Sequence, residues 1–129
     1  MPRHPSLQPT EVELEILHVL WDLGPCPLGD IHQAVADRRE VAYSTTRKMV
    51  QVMREKGLIE CDETVRPQQY TAARPQDETQ MGLLDDLVRR AFGGSTQNLV
   101  MSLLSADRLS KEELAELRKL LRNARGTQS

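Results

Sequence analysis

Arg47, Lys48, Gln51 and Arg54 stand within two helical turns of one another in the stretch "YSTTRKMVQVMREKG". Their chemistry is donation. Arginine and lysine bind phosphate oxygens, and arginine or glutamine can reach the edges of bases. Wound at ~100° per residue, the stretch separates into two sides. Tyr43, Ser44, Arg47, Lys48, Gln51 and Arg54 share one side. Met49, Val52 and Met53 share the other, with Thr45 and Thr46 near them. Four cations, Lys56 included, against the single acid Glu55 leave the segment at +3 in a chain whose formal net charge is −2. The overall charge therefore says nothing of nucleic acid, and any basic surface must be local. A basic helix face is commonly no more than a solvated face, so its meaning depends on the elements around it.

Covalent chemistry finds no such cluster. The adjacent acid pairs Asp85–Asp86 and Glu112–Glu113 diverge when wound on a helix, which makes them poor general acid–base partners. His4, His18 and His32 are isolated, with no HExxH spacing. Cys26 and Cys61 are far apart, with no CxxC pattern, and read as buried or half-buried thiols. The expectation is a protein with no catalytic residues, no metal and no cofactor. The start "MPRHPSLQPT" lacks the apolar core of a signal peptide, and no apolar run approaches the ~20 residues of a membrane span. This predicts a cytoplasmic location.

Two helical patterns precede the basic stretch. Thr10 and Glu13 form a capping box before "EVELEILHVLW", where Leu14, Leu17 and Trp21 recur at helical spacing with Ile16 and Leu20 beside them. Gly24 and Pro25 stop that helix. Pro27 opens a second one, whose buried stripe is Leu28, Ile31 and Val35. Gly57 ends the third. Residues 58–61 and 69–72 then read as short strands joined by a turn over 62–67 that carries Arg66. Three helices and a hairpin make a winged helix-turn-helix, whose third helix enters the major groove of DNA. Residues 1–74 form this unit.

From residue 75 the grammar changes. Three amphipathic helices follow, carrying Leu84, Leu87 and Val88, then Leu99, Val100 and Leu103, then Leu114, Leu117, Leu120 and Leu121. Ser95 can cap the second, and Ser110 with Glu113 forms a capping box for the third. From Gln76 onward eight acids balance eight bases, which gives this region no attraction to phosphate. About 50 residues bury too little to make a good core alone. Residues 75–129 are therefore expected to be a helical dimerisation domain that packs against a second copy. The fold class is mainly α, a winged helix followed by this small domain.

The order of these parts resembles the penicillinase repressor family of bacterial regulators (BlaI/MecI/CopY type) over nearly the whole chain. The features that carry the resemblance are "TEVELEILHVLW", "YSTTRKMVQVMREKGLI", "QQYTAARP" and "FGGSTQNLVMSLLSADRLSKEELAELRKLL". It implies a homodimeric repressor on a palindromic DNA operator. It also implies groove contacts from Thr45, Thr46, Arg47 and Lys48, with wing contacts from Arg66 and Tyr70. Many members are released when a membrane-bound sensor metalloprotease leads to a cut in the dimerisation region, at an Asn–Phe bond. Aligned through "FGGS" and "LV", that bond falls at Ser102 and Leu103, so both matching residues are lost here. The copper-responsive branch ends in paired Cys-x-Cys motifs, whereas this chain ends "NARGTQS". The residues leave one other reading open, a winged helix that binds protein rather than DNA. The near-neutral first half, nine bases against eleven acids through Arg74, keeps that reading in play.

Overall fold

A computed structural model describes residues 8–127. The chain divides into two compact units, residues 1–83 and 84–129. The sequence changes character where the wing ends, at residues 74 and 75. The compact division lies further on, inside the fourth helix.

The first unit is a winged helix-turn-helix. Helix α1 (Glu11–Leu23) starts on the capping box. Thr10 Oγ1 accepts from the Glu13 amide at 3.2 Å, and the Glu13 carboxylate accepts from the Thr10 amide at 2.9 Å. Gly24 ends it at φ 78°, a left-handed conformation that a side chain at this position would strain. Helix α2 (Leu28–Ala36) begins at Pro27, and α3 (Tyr43–Glu55) begins at Ala42. Strands β1 (Ile59–Asp62) and β2 (Gln69–Ala72) pair antiparallel, with Cys61 opposite Tyr70. Strand β1 starts one residue later than the sequence suggested, because Leu58 is still closing the turn onto the Met53 carbonyl. The wing is tied to the helices through Tyr70. Its amide and carbonyl both bond Cys26, in the loop between α1 and α2, at 2.8 and 3.2 Å.

The core is Ile16, Leu17, Leu20, Cys26, Ile31, Val35, Val50, Met53, Leu58 and Ile59. Leu14, Trp21 and Leu28 are only partly buried against it, so the centre of α1 lies on Ile16, Leu17 and Leu20. Both cysteines are free thiols, Cys26 buried and Cys61 half-buried. Burial together with the nearby Asp30 carboxylate pushes the Cys26 thiol up, which keeps it protonated and inert.

The second unit holds the latter half of α4 (Gln76–Ala91), with α5 (Thr96–Ser105) and α6 (Lys111–Thr127). Ser95 caps α5 by accepting from the Asn98 amide at 3.0 Å. Ser110 and Glu113 form the second capping box, at 3.0 and 2.9 Å. Neither α4 nor α5 has a single buried residue. Among the described residues no helix is long and apolar enough to cross a membrane.

Candidate DNA interface

The buried edge of α3 is Thr46, Val50 and Met53, spaced i, i+4, i+7. Val50 sits where the sequence reading placed Val52, which is only half-buried. This rotates the helix slightly and corrects one expected groove residue. Thr46 is fully buried, and its Oγ1 shares a 2.9 Å hydrogen bond with His32 Nδ1 of α2. Thr46 therefore cannot present its hydroxyl or methyl to DNA. The same imidazole meets the Tyr43 ring edge-on, with centroids 5.3 Å apart. His32 thus braces the first turn of α3, whose N-cap, Ala42, offers no side-chain bond. Sequence alone did not mark His32 for this role. Strict helical spacing back from Met53 through Val50 would have marked Thr46 as buried.

The remaining groove candidates are exposed. Tyr43, Ser44, Thr45, Arg47, Lys48, Gln51 and Arg54 lie on the open side of α3. Tyr43, Arg47, Gln51 and Arg54 also line one wall of an open cleft of about 510 Å³. Val50 lies behind that wall, and Pro67, Gln68 and Tyr70 of the wing, with Pro27, Leu28 and Gly29 at the start of α2, line the rest. Tyr70 is half-buried rather than displayed at the wing tip. Burial first, then the neighbouring Cys61 thiol, pushes its phenol up, while Arg54 pulls the other way.

The four cations of the stretch are not equivalent. Lys56 turns away from the open face. Its Nζ donates to both oxygens of Glu13, at 2.8 and 3.1 Å. Arg54 donates to Glu63 in the wing at 2.8 Å. Arg47 and Lys48 have no hydrogen-bond or ion-pair partner among the described residues. Unpaired, exposed and one residue apart, they are the charges most available to a phosphate or a base edge. Arg66, expected to act from the wing, is exposed, yet its Nη1 donates to the Glu63 and Val65 carbonyls at 2.7 and 3.0 Å. That donor shapes the turn, and the outward part of the guanidinium alone can meet DNA. Among the described residues no group of three His, Cys, Asp or Glu could hold a metal ion.

The model of the penicillinase repressor family matches residues 9–123, both units together. The chain belongs to the penicillinase repressor family. As a member it is a DNA-binding transcriptional repressor. Among curated family members, the transcriptional regulator BlaI of Mycobacterium tuberculosis is 26% identical over 113 residues, covering 86% of this chain and 80% of that one. The penicillinase repressor of Staphylococcus aureus is 20% identical over 109 residues, covering 84% and 86%. Among solved structures, one describing how 6-hydroxynicotinic acid regulates DNA binding by BpsR of Bordetella bronchiseptica superposes with a TM-score of 0.44 at 21% identity. It covers 94% of this chain and 83% of that chain, a superposition too loose to bear on function.

Proposed function

We propose that this repressor works as a homodimer that lays one α3 from each copy into the two halves of a palindromic operator. The observation that carries the reading is the pair Arg47 and Lys48, exposed and without internal partners on α3. Lysine and arginine on α3 and the wing would release counterions from the DNA backbone. Arg47, with Gln51 one turn on, would supply hydrogen bonds to base edges. Thr45 and Ser44 would supply hydroxyls to phosphate. One recognition helix reads few bases, so useful specificity requires two. Salt titration of binding to duplexes enriched from the host genome tests this. DNA binding should weaken steeply as salt rises, whereas a protein-interaction module would show no affinity for the duplex.

The second copy is suggested by apolar surface left open among the described residues of one chain. Leu84, Leu87, Val100, Leu120 and Leu121 are between 38% and 57% exposed. Val88, Leu99, Leu103, Leu114 and Leu117 are half-buried beside them. An amphipathic face of this kind is stable in water only against a partner surface. The region's balanced charge allows an identical partner, and two identical copies would match the two halves of a palindromic operator.

We also propose that an upstream signal, such as a membrane-bound sensor metalloprotease, releases the repressor. A cut in α5 at Ser102–Leu103 would sever α6 from the DNA-binding unit and leave each half to bind one half-site alone. Ser102 is exposed and Leu103 half-buried inside the helix, so α5 must unwind before a protease can grip it. Following the mass of the protein in its host through derepression tests the route. Full-length chain throughout would exclude it.

A further inference from the structure

The wing delivers a carboxylate to a cation in the cleft wall. Arg54 Nη2 meets Glu63 Oε2 at 2.8 Å, and both side chains remain open to solvent, 44% and 55% exposed. Glu63 is held in place by its turn. The Asp62 carboxylate accepts from the Thr64 amide at 2.9 Å, and Arg66 clasps the Glu63 carbonyl at 2.7 Å. The turn therefore presents Glu63 to Arg54 as part of its built shape. A guanidinium binds a carboxylate and a phosphate through the same donors and similar geometry. Arg54 also lies in the cleft wall with Arg47 and Gln51, so a DNA backbone engaged by those residues passes within its reach.

We propose that Arg54 is a backbone-phosphate subsite that the protein's own Glu63 occupies in the absence of DNA, so that a phosphate must displace the carboxylate. The inference rests on the DNA-binding reading of α3. Its consequence is selective. An exposed ion pair is weak, so a well-seated operator complex opens it readily. A loosely held, non-specific duplex gains less from the exchange, because the charge on Arg54 is already satisfied. Glu63 thereby lowers background affinity for DNA, which is the quantity that limits a repressor among many competing sites.

The test is a double-mutant cycle on the full-length chain, with Glu63→Gln, Arg54→Ala and both together. The probes are a duplex enriched by the wild-type protein from random-sequence DNA and a scrambled duplex of the same composition. Glu63→Gln should tighten binding to the scrambled duplex by about two- to fivefold, the range expected from one exposed pair. It should tighten the enriched duplex by less. Arg54→Ala should abolish the gain, so that the double variant binds as Arg54→Ala does. Two results would overturn the proposal. Weaker or unchanged binding by Glu63→Gln would make the pair a brace for the wing. A gain that survives in the Arg54→Ala background would make Glu63 a simple source of repulsion. Wild-type protein that binds neither duplex would overturn the DNA-binding reading and this subsite with it, whereas wild-type binding with either of the two results above would overturn the subsite alone.

Discussion

At the scale of single residues, the interface depends on which charges are already spent. Arg47 and Lys48 are free, and their roles should differ. Arg47→Ala should cost roughly 1–3 kcal/mol of operator affinity and relax sequence preference at the base it reads. Lys48→Ala should weaken all duplexes alike and reduce the slope of log K against log salt by about one, the signature of a lost phosphate contact. Unchanged binding by both variants, measured by anisotropy across a salt series, would remove α3 as the reader. Glu13 gives a residue-scale prediction of stability. Burial pushes its carboxyl up, but the Lys56 ammonium and the Thr10 amide outweigh burial, so it lies below its ordinary value. A carboxyl lowered in the folded state binds fewer protons there than in the unfolded chain. Its contribution is therefore complete above the ordinary carboxylate range and is lost as pH falls through the lowered value. Glu13→Gln should cost roughly 1–2 kcal/mol at neutral pH, discounted because Lys56 is 41% exposed. In thermal melts its deficit relative to wild type should shrink toward zero in strong acid.

At the scale of elements, α3 is positioned from both ends. His32 of α2 holds its first turn through Thr46 and Tyr43, and Glu13 of α1 holds its last through Lys56. Thr46→Val keeps the volume but leaves His32 Nδ1 without its partner. It should lower stability by about 1 kcal/mol and lower operator affinity beyond what stability explains. Thr46→Ser, which keeps the hydroxyl, should restore most of the affinity. Equal affinity for Thr46→Val and wild type would mean that the first turn of α3 holds its place unaided. Trp21 makes a comparable tie where the wing leads into α4. Its Nε1 donates to the Arg74 carbonyl at 3.1 Å, and the indole packs at right angles on His18.

At the scale of the whole molecule, the contrast between the two units is the argument for assembly. Among the described residues every fully buried apolar side chain lies in the first unit, between Ile16 and Ile59, while the second displays leucines on all its helices. Leu121 is 57% exposed within one chain, so Leu121→Glu should leave a single copy folded. In a dimer the same change would place an unpaired charge in the shared core. Sedimentation at micromolar concentration should show a dimer for wild type and a folded monomer for Leu121→Glu, with weaker and less cooperative operator binding. A wild-type monomer at that concentration would refute the assembly.

Local physics made much of this legible in the residues themselves. The capping boxes at Thr10–Glu13 and Ser110–Glu113 and the cap at Ser95 formed as written, because each joins groups three residues apart. Among the described residues, the order of six helices and a hairpin followed from periodicity and turn residues, which act over similar distances. The exposed leucines of α4, α5 and α6 could likewise be read as apolar stripes, since a stripe is a property of one helix. What tertiary structure alone decided was the fate of the polar groups on those helices. Lys56 counted as one more cation of the basic stretch until Glu13, 43 residues away, took its charge. Thr46 looked like a groove hydroxyl until His32, 14 residues away, closed over it. Arg54 looked free until the wing turned Glu63 onto it. An apolar side chain is driven inward wherever water is excluded, so its pattern along the chain announces its face. A charge or hydroxyl is satisfied equally well by water, a neighbour or a ligand, and only the apposition of distant elements determines which of these it meets.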